Sequence, residues 1–423
     1  MLKVVADTRE LEEALGPQTL DELARCGARE MLVQALEFEV AAYLERHQER
    51  DASGHALVVR NGRARARKVT CGAGTLTVRA PRVNDRRFDA VGQRQRFTSR
   101  ILPPYMRRSP KVAEVLPVLY LRGLSTGDFQ EALPILLGKD AAGLSPTNIA
   151  RLTAVWEEEY HAFRQRSLAE RDYVYVWVDG VHFTIRLEDE RLCTLVMIGV
   201  RPDGTKELIA VEDGYRESSA SWAALLRELQ RRGMRAPVLA VGDGALGFWA
   251  AVRDVWPATR VQRDWCHKLA NVLDQLPQGL QPKAKRALRE IMYAETRAVA
   301  DELIDRFATV YGAKYPKAAA CLVGDRDALL THFDLPAEHW LHVRTTNPVE
   351  SPFATVRLRQ RVTKGAGNRT KGLTMAFELL AMAERRWRRL NGAHLLPLVR
   401  AGVRFVDGVQ VEREGSRDRK DAA

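Results

Sequence analysis

Two aspartates in the middle of the chain each follow a run of apolar, β-forming residues. Asp179 comes directly after residues 173–178, and Asp243 lies one glycine beyond residues 237–241. If the two strands are neighbours in a mixed sheet, both carboxylates emerge at the same edge, where they repel each other unless a cation lies between them. Mg²⁺ prefers such oxygen ligands, and a pair of ions can stabilise both the attacking and the leaving oxygen of a phosphoryl transfer. The alternative is that each Asp-Gly is an ordinary turn.

A third carboxylate stands in the window RTTNPVE, residues 344–350. Glu350 could complete a metal site if its helix packs near the edge that carries the aspartates. The same residues have the form of a capping box, with Asn347 as N-cap, Pro348 at the first helical position and Glu350 at the third. A capping role and a catalytic role do not exclude each other, so both interpretations stay open for Glu350.

The elements around these acids predict an α/β core. Strands are predicted at residues 173–178, 192–200, 207–211 and 237–241, with an amphipathic helix at 219–232 that ends before Gly233. From 264 to 342 the pattern is almost wholly helical, and its longest run covers residues 283–307. The order is therefore strand, strand, strand, helix, strand, followed by a helical region.

Positive charge is concentrated near the N-terminus. The chain has 66 Lys and Arg against 54 Asp and Glu, a net charge of +12. Between Arg60 and Lys111 there are 15 basic residues and only two acids, Asp85 and Asp89, so this stretch accounts for the whole excess. Such a concentration favours a surface for nucleic acid, with a solvated basic loop as the alternative. The candidate DNA-binding residues are Arg60, Arg63, Arg65, Arg67, Lys68, Arg79, Arg82, Arg86 and Arg87.

The elements that carry this charge are a helix and a hairpin. Leu32, Leu36, Val40 and Leu44 recur every four residues and predict one buried helix face. Residues 71–74 predict a hairpin turn before a strand at 75–79. Helices are predicted at 112–120, at 126–137 and from Ser145-Pro146 to Gln165; they suit a helix-turn-helix module and a helical linker about equally well.

A second group of basic residues surrounds Glu350, without balancing acids. A helix that leads from a metal site into a basic loop would follow a DNA backbone, although a solvated helix face is the alternative. The candidates in this group are Arg344, Arg357, Arg359, Arg361 and Lys364. Cys266 and His267 form only half of a zinc site, and the five scattered cysteines argue against a disulfide framework and against structural zinc.

With these residues, the sequence resembles the bacterial Mutator-type transposases, the insertion-sequence enzymes with a DDE triad on an RNase H-like fold. The resemblance spans residues 28–392, and Asp179 and Asp243 are 64 residues apart while Asp243 and Glu350 are 107 apart. The matching stretches are APRVNDR at 80–86, SPKVAEVLP at 109–117, GLSTGDF at 123–129, Asp179-Gly180, Gly242-Asp-Gly244, His267-Lys268 with Asn271, and RTTNPVES at 344–351.

The resemblance implies a catalytic triad of Asp179, Asp243 and Glu350 that binds two Mg²⁺ or Mn²⁺ ions. It implies hydrolysis at terminal inverted repeats to free 3′-OH ends, then attack of those ends on target DNA by a homo-oligomer that holds two DNA ends. His267, Trp265 and Asn347 are expected to support the site. The alternatives are a catalytically dead DNA-binding protein descended from a transposase and a structure-specific nuclease on the same fold.

Two residues depart from the family pattern. Asp264 stands where the family usually has the cysteine of a Cys-x-x-His motif, which changes the contact expected beside the active site. Pro352 follows Glu-Ser, where a residue other than proline is expected. Either Asn347 caps the helix and Pro352 disturbs its second turn, or Ser351 caps it and Glu350 lies just outside.

The predicted organisation has six parts on an α/β, RNase H-like plan. No apolar run approaches the ~18 residues of a membrane span, and no signal peptide is evident, so a bacterial cytoplasmic protein without membrane contact is expected, nucleoid-associated when bound to DNA. The parts are a basic DNA-binding region at 1–110, a helical region at 111–170, the first part of the catalytic core at 171–263, a helical insertion at 264–343, the second part of the core at 344–392 and a charged tail at 393–423.

Overall fold

The computed structural model describes residues 19–121, 146–185, 192–214, 218–244, 246–363 and 368–411. The chain divides into two compact units, with the boundary between Val155 and Trp156. The helix predicted at 126–137, and with it the middle of the helix-turn-helix interpretation, lies outside the described residues, as do residues 412–423 of the charged tail. Among the residues described, no helix combines the length and apolar composition needed to cross a membrane.

The first unit is built on one long helix and four short strands. Thr19 caps α1, and Leu36 and Val40 of the predicted face are buried. Leu36 packs against Val69, Leu76 and Val78 of the strand pair β2 and β3. Strands β2 and β3 form the predicted hairpin, while β1 pairs antiparallel with β4. The elements are α1 Leu20–Arg46, β1 Val58–Arg63, β2 Arg67–Cys71, β3 Gly74–Val78, β4 Pro81–Asp85 and α2 Pro110–Leu121. Helix α3, Pro146–Gln165, contains the boundary between the units.

The second unit is centred on a mixed five-stranded sheet in the order β7-β6-β5-β8-β9. Strands β5, β6 and β7 are antiparallel neighbours, whereas β5, β8 and β9 run parallel. The predicted order of strand, strand, strand, helix, strand is confirmed. The elements are β5 Tyr175–Phe183, β6 Leu192–Val200, β7 Lys206–Gly214, α4 Ser219–Arg231, β8 Leu239–Gly242, α5 Leu246–Val255 and β9 Arg260–Arg263.

Every residue of β6 is buried, because helices cover both faces of the sheet. One face packs against α4 and α5 through Trp222, Leu226 and Phe248. The chain then returns to the sheet after the helical region, with α12 against β5 and α13 against β7. These last helices are α12 Asn347–Thr363, α13 Arg369–Glu384 and α14 Leu396–Arg400, followed by the short pair β10 Phe405–Val406 and β11 Val409–Gln410.

The helical region between β9 and α12 has its own apolar core, which includes Leu288, Ile304 and Phe333. The run predicted at 283–307 is two helices rather than one, because Thr296 accepts a hydrogen bond from the Val299 amide and starts a new helix. The helices are α6 Trp265–Leu273, α7 Gln281–Met292, α8 Arg297–Gly312, α9 Pro316–Val323, α10 Arg326–Leu330 and α11 Trp340–Val343.

Candidate active site

Strand register brings Asp179 and Asp243 to the same level of the sheet. Strands β5 and β8 pair in parallel, with Trp177 opposite Val241 as the last pair. Asp179 and Asp243 each lie two residues further along their strands, so the two carboxylates share one edge. This register agrees with the prediction that the two aspartates lie at the same edge of the sheet. Both residues are half-buried, which leaves their carboxylates within reach of solvent.

The position of Asp179 in its strand differs from the prediction. The structure continues β5 to Phe183, and Asp179 lies inside the strand opposite Val196 of β6. The antiparallel partner β6 extends the strand beyond the point where the parallel partner β8 ends. One oxygen of Asp179, Oδ1, accepts a 2.8 Å hydrogen bond from the amide of Gly180.

Gly244 allows the chain to turn away from the sheet directly after Asp243. Its φ of +88° belongs to the left-handed region, and a Cβ at this position would collide with the guanidinium of Arg263. The Arg263 side chain therefore lies against the Asp243–Gly244 turn. A glycine is required here both for the backbone conformation and for this close packing.

Glu350 lies in the first turn of α12, and Thr346 is the residue that starts this helix. The carbonyl of Thr346 accepts hydrogen bonds from the amides of Val349 at 2.9 Å and of Glu350 at 3.0 Å. Its hydroxyl donates to Oε1 of Glu350. The cap predicted at Asn347 is therefore one residue too late, and Asn347 is exposed at the first helical position.

The alternative with Ser351 as the cap is wrong, because α12 is continuous from Asn347 through Pro352. Glu350 therefore belongs to the helix rather than to the loop before it. Pro352 lacks an amide hydrogen and so removes one main-chain hydrogen bond from the second turn.

Asp264 connects the segments that carry Asp243 and Glu350. Its amide donates a 2.8 Å hydrogen bond to the carbonyl of Gly242, the residue before Asp243. Its side chain is fully buried, and Oδ1 accepts a 3.0 Å hydrogen bond from the amide of Thr346. Its other oxygen, Oδ2, caps α6 by accepting the amide of His267 at 2.6 Å. Asp264, which stands where the family usually has a cysteine, therefore joins these two segments by hydrogen bonds.

His267 lies between the acids. Its Nδ1 is 2.7 Å from Oδ2 of Asp264 and 3.7 Å from Oε1 of Glu350. The hydrogen bond to Asp264 raises the pKa of His267 to about 9, and the charges of Asp264, Glu350 and Asp243 add to this shift. The imidazole is therefore a cation at neutral pH. Of the predicted triad, Glu350 is the acid that lies beside this ring, at 3.7 Å.

Trp265 supports this arrangement from inside the core. Its ring is fully buried, its indole Nε1 donates to the carbonyl of Leu329 at 3.0 Å, and its amide donates to the carbonyl of Arg344 at 3.0 Å. Trp177 on β5 likewise donates to the carbonyl of His342 at 2.9 Å. The main-chain amide of Trp265 and the indole of Trp177 thus both hold the segment that leads into Glu350.

Two sets of side chains could be considered for a metal ion. Asp264, His267 and Glu350 have ligand atoms within 4.8 Å of one another. The carboxylate of Asp264 holds the amides of His267 and Thr346, which favours a structural role for it. Asp179, Asp243 and Glu350 each offer a half-buried carboxylate, the ligand type that Mg²⁺ and Mn²⁺ prefer, but within the described residues the ligand atoms of these three acids are not brought within 4.8 Å of one another.

The basic residues of the first unit fall into two groups. Arg67 donates to the carbonyls of Leu102 and Pro103, and Arg87 is bound by Asp85 and by the Tyr43 hydroxyl. The side chain of Arg87 is only 12% exposed, so its guanidinium is used inside the fold. The exposed members are Arg60 and Arg63, which both pair with Glu37, together with Arg65, Lys68, Arg79, Arg82 and Arg86.

The basic residues around α12 are also divided. Arg357 and Arg361 are exposed, whereas Arg359 is 1% exposed and Arg344 is 8% exposed. The guanidinium of Arg344 lies between the rings of Tyr293 and Trp340, at 5.4 and 5.1 Å from their centroids. Arg344 and Arg359 are therefore not part of an exposed basic face in this structure. Lys364 lies outside the described residues.

The sequence analysis missed the structural roles of Asp264 and Thr346. A signal for the first was present, since Asp264 stands three residues before His267 at the start of a helical pattern, which is the position of an N-cap. Thr346 had no comparable signal, because Thr345, Thr346, Asn347 and Ser351 are all good capping residues.

Comparison with known proteins identifies the family of the chain. The chain matches the family described as "Transposase, Mutator family" over residues 2–389. It is 57% identical over 302 residues to the transposase for insertion sequence element IS6120 of Mycolicibacterium smegmatis, covering 71% of this chain and 93% of that protein. It is 47% identical over 302 residues to the transposase for element IST2 of Acidithiobacillus ferrooxidans, covering 70% of this chain and all of that protein.

A more distant relative extends the match further along the chain. The transposase for element IS1081 of Mycobacterium tuberculosis is 26% identical over 369 residues, which is 86% of this chain and 84% of that protein. The chain belongs to the Mutator family of transposases.

Proposed function

We propose that this protein is the transposase of an insertion sequence and that its catalytic centre consists of Asp179, Asp243 and Glu350 on an RNase H-like core. The observation that carries the proposal is the shared edge. Asp179 and Asp243 are level in the register of β5 and β8, while Asp264 is hydrogen-bonded both to Gly242, the residue before Asp243, and to Thr346, which starts the helix of Glu350. The family membership and the IS6120 and IST2 relatives support the same function.

The proposed reaction is two successive phosphoryl transfers on DNA. Two Mg²⁺ or Mn²⁺ ions held by the three carboxylates would supply charge stabilisation for the attacking and leaving oxygens. Water is the nucleophile when the element's terminal inverted repeats are cut, and the freed 3′-OH is the nucleophile when they are joined to target DNA. The protein's own residues orient the carboxylates, and the protonated His267 adds positive charge where the DNA phosphate binds.

The proposed DNA partners are the terminal repeats and the target, held by a homo-oligomer that brings two ends together. Exposed arginines on the first unit and Arg357 and Arg361 on α12 offer cationic groups for phosphates. Sequence recognition by the first unit would require base contacts in addition to these charges.

Strand cleavage and strand transfer on the element's own end DNA test this function. Wild type, Asp179→Ala and Glu350→Ala are compared with Mg²⁺ and with EDTA. We expect metal-dependent joining by wild type and a loss of more than about 100-fold in both variants, beyond the range usual for residues that only support metal ligands.

The outcomes separate the alternative functions. End binding without any cleavage by wild type would indicate a DNA-binding protein that has lost catalysis. Cleavage without joining would indicate a nuclease. Joining that survives either substitution would contradict the proposed triad.

A further inference from the structure

Asp264 bonds to the residue directly before Asp243 and to the residue that starts the helix of Glu350. Its amide holds the carbonyl of Gly242, and its carboxylate holds the amide of Thr346 at 3.0 Å. Both Asp264 and Thr346 are fully buried, so neither bond competes with water. The main chain and the side chain of Asp264 thus join the two acid-bearing segments directly.

Thr346 is hydrogen-bonded to Glu350 and so connects Glu350 to Asp264. Its carbonyl accepts the Glu350 amide at 3.0 Å, and its hydroxyl donates to Glu350 Oε1. The first contact fixes where the helix begins, and the second selects the orientation of the carboxylate. From Asp264, the chain of contacts runs through the Thr346 amide and hydroxyl to a glutamate oxygen.

We infer that Asp264 and Thr346 are positioning residues that set the place and orientation of the Glu350 carboxylate relative to Asp243. This inference rests on the proposed function of Glu350. Neither residue touches the reacting atoms. Asp264 is fully buried and holds the amides of His267 and Thr346 and the His267 ring, which favours a positioning role for it.

The threonine allows a test that leaves the fold intact. Thr346→Val keeps the shape of the side chain and removes the hydroxyl, whereas Thr346→Ser keeps the hydroxyl. We expect Thr346→Val to lower the end-cleavage rate at saturating DNA by about 10- to 100-fold, the range for residues that orient metal ligands. The dissociation constant for end DNA stays at the wild-type value, and Thr346→Ser restores the rate.

Thr374→Val is the matched control. Thr374 is a buried threonine on α13 whose hydroxyl donates to the carbonyl of Thr370, so the substitution removes a comparable bond elsewhere in the same unit. Its cleavage rate is expected to match wild type. Equal rates for wild type and Thr346→Val, or failure of Thr346→Ser to restore the rate, would overturn the inference.

Two readouts do not depend on catalysis. Titration of Mn²⁺ alone into the full chain is expected to show affinity about 10-fold weaker for Thr346→Val than for Thr346→Ser. Hydrogen exchange of the Thr346 amide is expected to be faster in Asp264→Ala than in wild type. Unchanged Mn²⁺ affinity together with unchanged exchange would also overturn the inference.

If the proposed function is wrong, the measurements give a different pattern of results from the one expected if only the inference is wrong. Wild type would then cleave nothing, while the Mn²⁺ and exchange measurements would still distinguish the variants. If Asp264→Ala does not fold, the comparison of Thr346→Val with Thr346→Ser is sufficient to test the inference.

Discussion

Glu378 is a carboxyl group that the fold keeps away from water. It lies on α13, half-buried, and burial raises its pKa to about 8, with the hydrogen bond to Glu159 and the charge of Glu159 adding to the shift. The charge of Arg385 opposes these effects. Near neutral pH a large share of Glu378 is therefore protonated and donates a hydrogen bond to Glu159.

This pair predicts a decline in stability with rising pH. The folded pKa of Glu378, about 8, lies above its ordinary value of 4.5. Its contribution is therefore complete below about pH 4.5 and is lost as the pH rises through about 8. Glu378→Gln, which stays neutral, is expected to show a shallower fall of the urea midpoint between pH 5 and pH 9 than wild type.

The exposed Glu302, changed to Gln, serves as the control for this measurement and is expected to keep the wild-type profile. Parallel profiles for wild type and Glu378→Gln would show that the carboxyl is ionised in the folded protein at neutral pH.

At the scale of elements, Asp325 helps to join the helical insertion to the sheet. Asp325, just before α10, accepts a hydrogen bond from Arg263 at the end of β9 and another from Lys268 on α6. The Lys268 side chain is 3% exposed, and its ammonium also donates to the carbonyl of Cys321 at 2.7 Å. Asp325 thus neutralises a buried cation at the junction of three elements.

Asp325→Ala is expected to lower the free energy of unfolding by roughly 3–5 kcal/mol, because it leaves the buried Lys268 ammonium without its charge partner. Asp305→Ala is the matched control. Asp305 pairs with Arg326 at a surface where its own side chain is 66% exposed, so the expected cost is at most about 1 kcal/mol. Urea denaturation measures both; similar losses for the two variants would rule out a special role for Asp325.

The types of elements could be predicted from the sequence, and some of their ends could not. A continuous apolar run identified β5 as a buried strand, but its length depends on pairing with β6 beyond Asp179. The cap of α12 was placed at Asn347 instead of Thr346, because several neighbouring residues can cap a helix and main-chain hydrogen bonds decide among them.

The acids of the site could be predicted, whereas the environment of the arginines could not. Asp179, Asp243 and Glu350 were identified from their spacing and from the resemblance to a family. Arg87 and Arg359 face inward, which depends on partners or packing far along the chain, such as Tyr43 for Arg87. Local sequence contains no record of such long-range contacts.

At the scale of the whole molecule, the concentrated positive charge and the three proposed catalytic acids lie in different units. The excess of positive charge lies between Arg60 and Lys111 in the first unit, while the three acids lie in the second. DNA affinity and strand chemistry are therefore expected to respond to different substitutions. Asp179→Ala is expected to bind end DNA with the affinity and salt dependence of wild type.

Removing exposed arginines from the first unit tests whether this unit provides the DNA affinity. The quadruple variant Arg65→Ala, Arg79→Ala, Arg82→Ala, Arg86→Ala is expected to bind end DNA more weakly. The slope of log K against log salt should become less negative by about 0.9 for each phosphate that the variant no longer neutralises. The reason is that each arginine bound to a phosphate releases a counterion from the DNA.

A control variant removes the same charge from exposed positions of the second unit, as Arg227→Ala, Arg231→Ala, Arg253→Ala, Arg306→Ala. Net charge alone would affect both variants equally, because long-range attraction depends on total charge and salt screens it. A change of slope confined to the first-unit variant therefore identifies direct phosphate contacts. Equal slopes for both variants and wild type would mean that the basic stretch is a solvated surface and that DNA is held elsewhere.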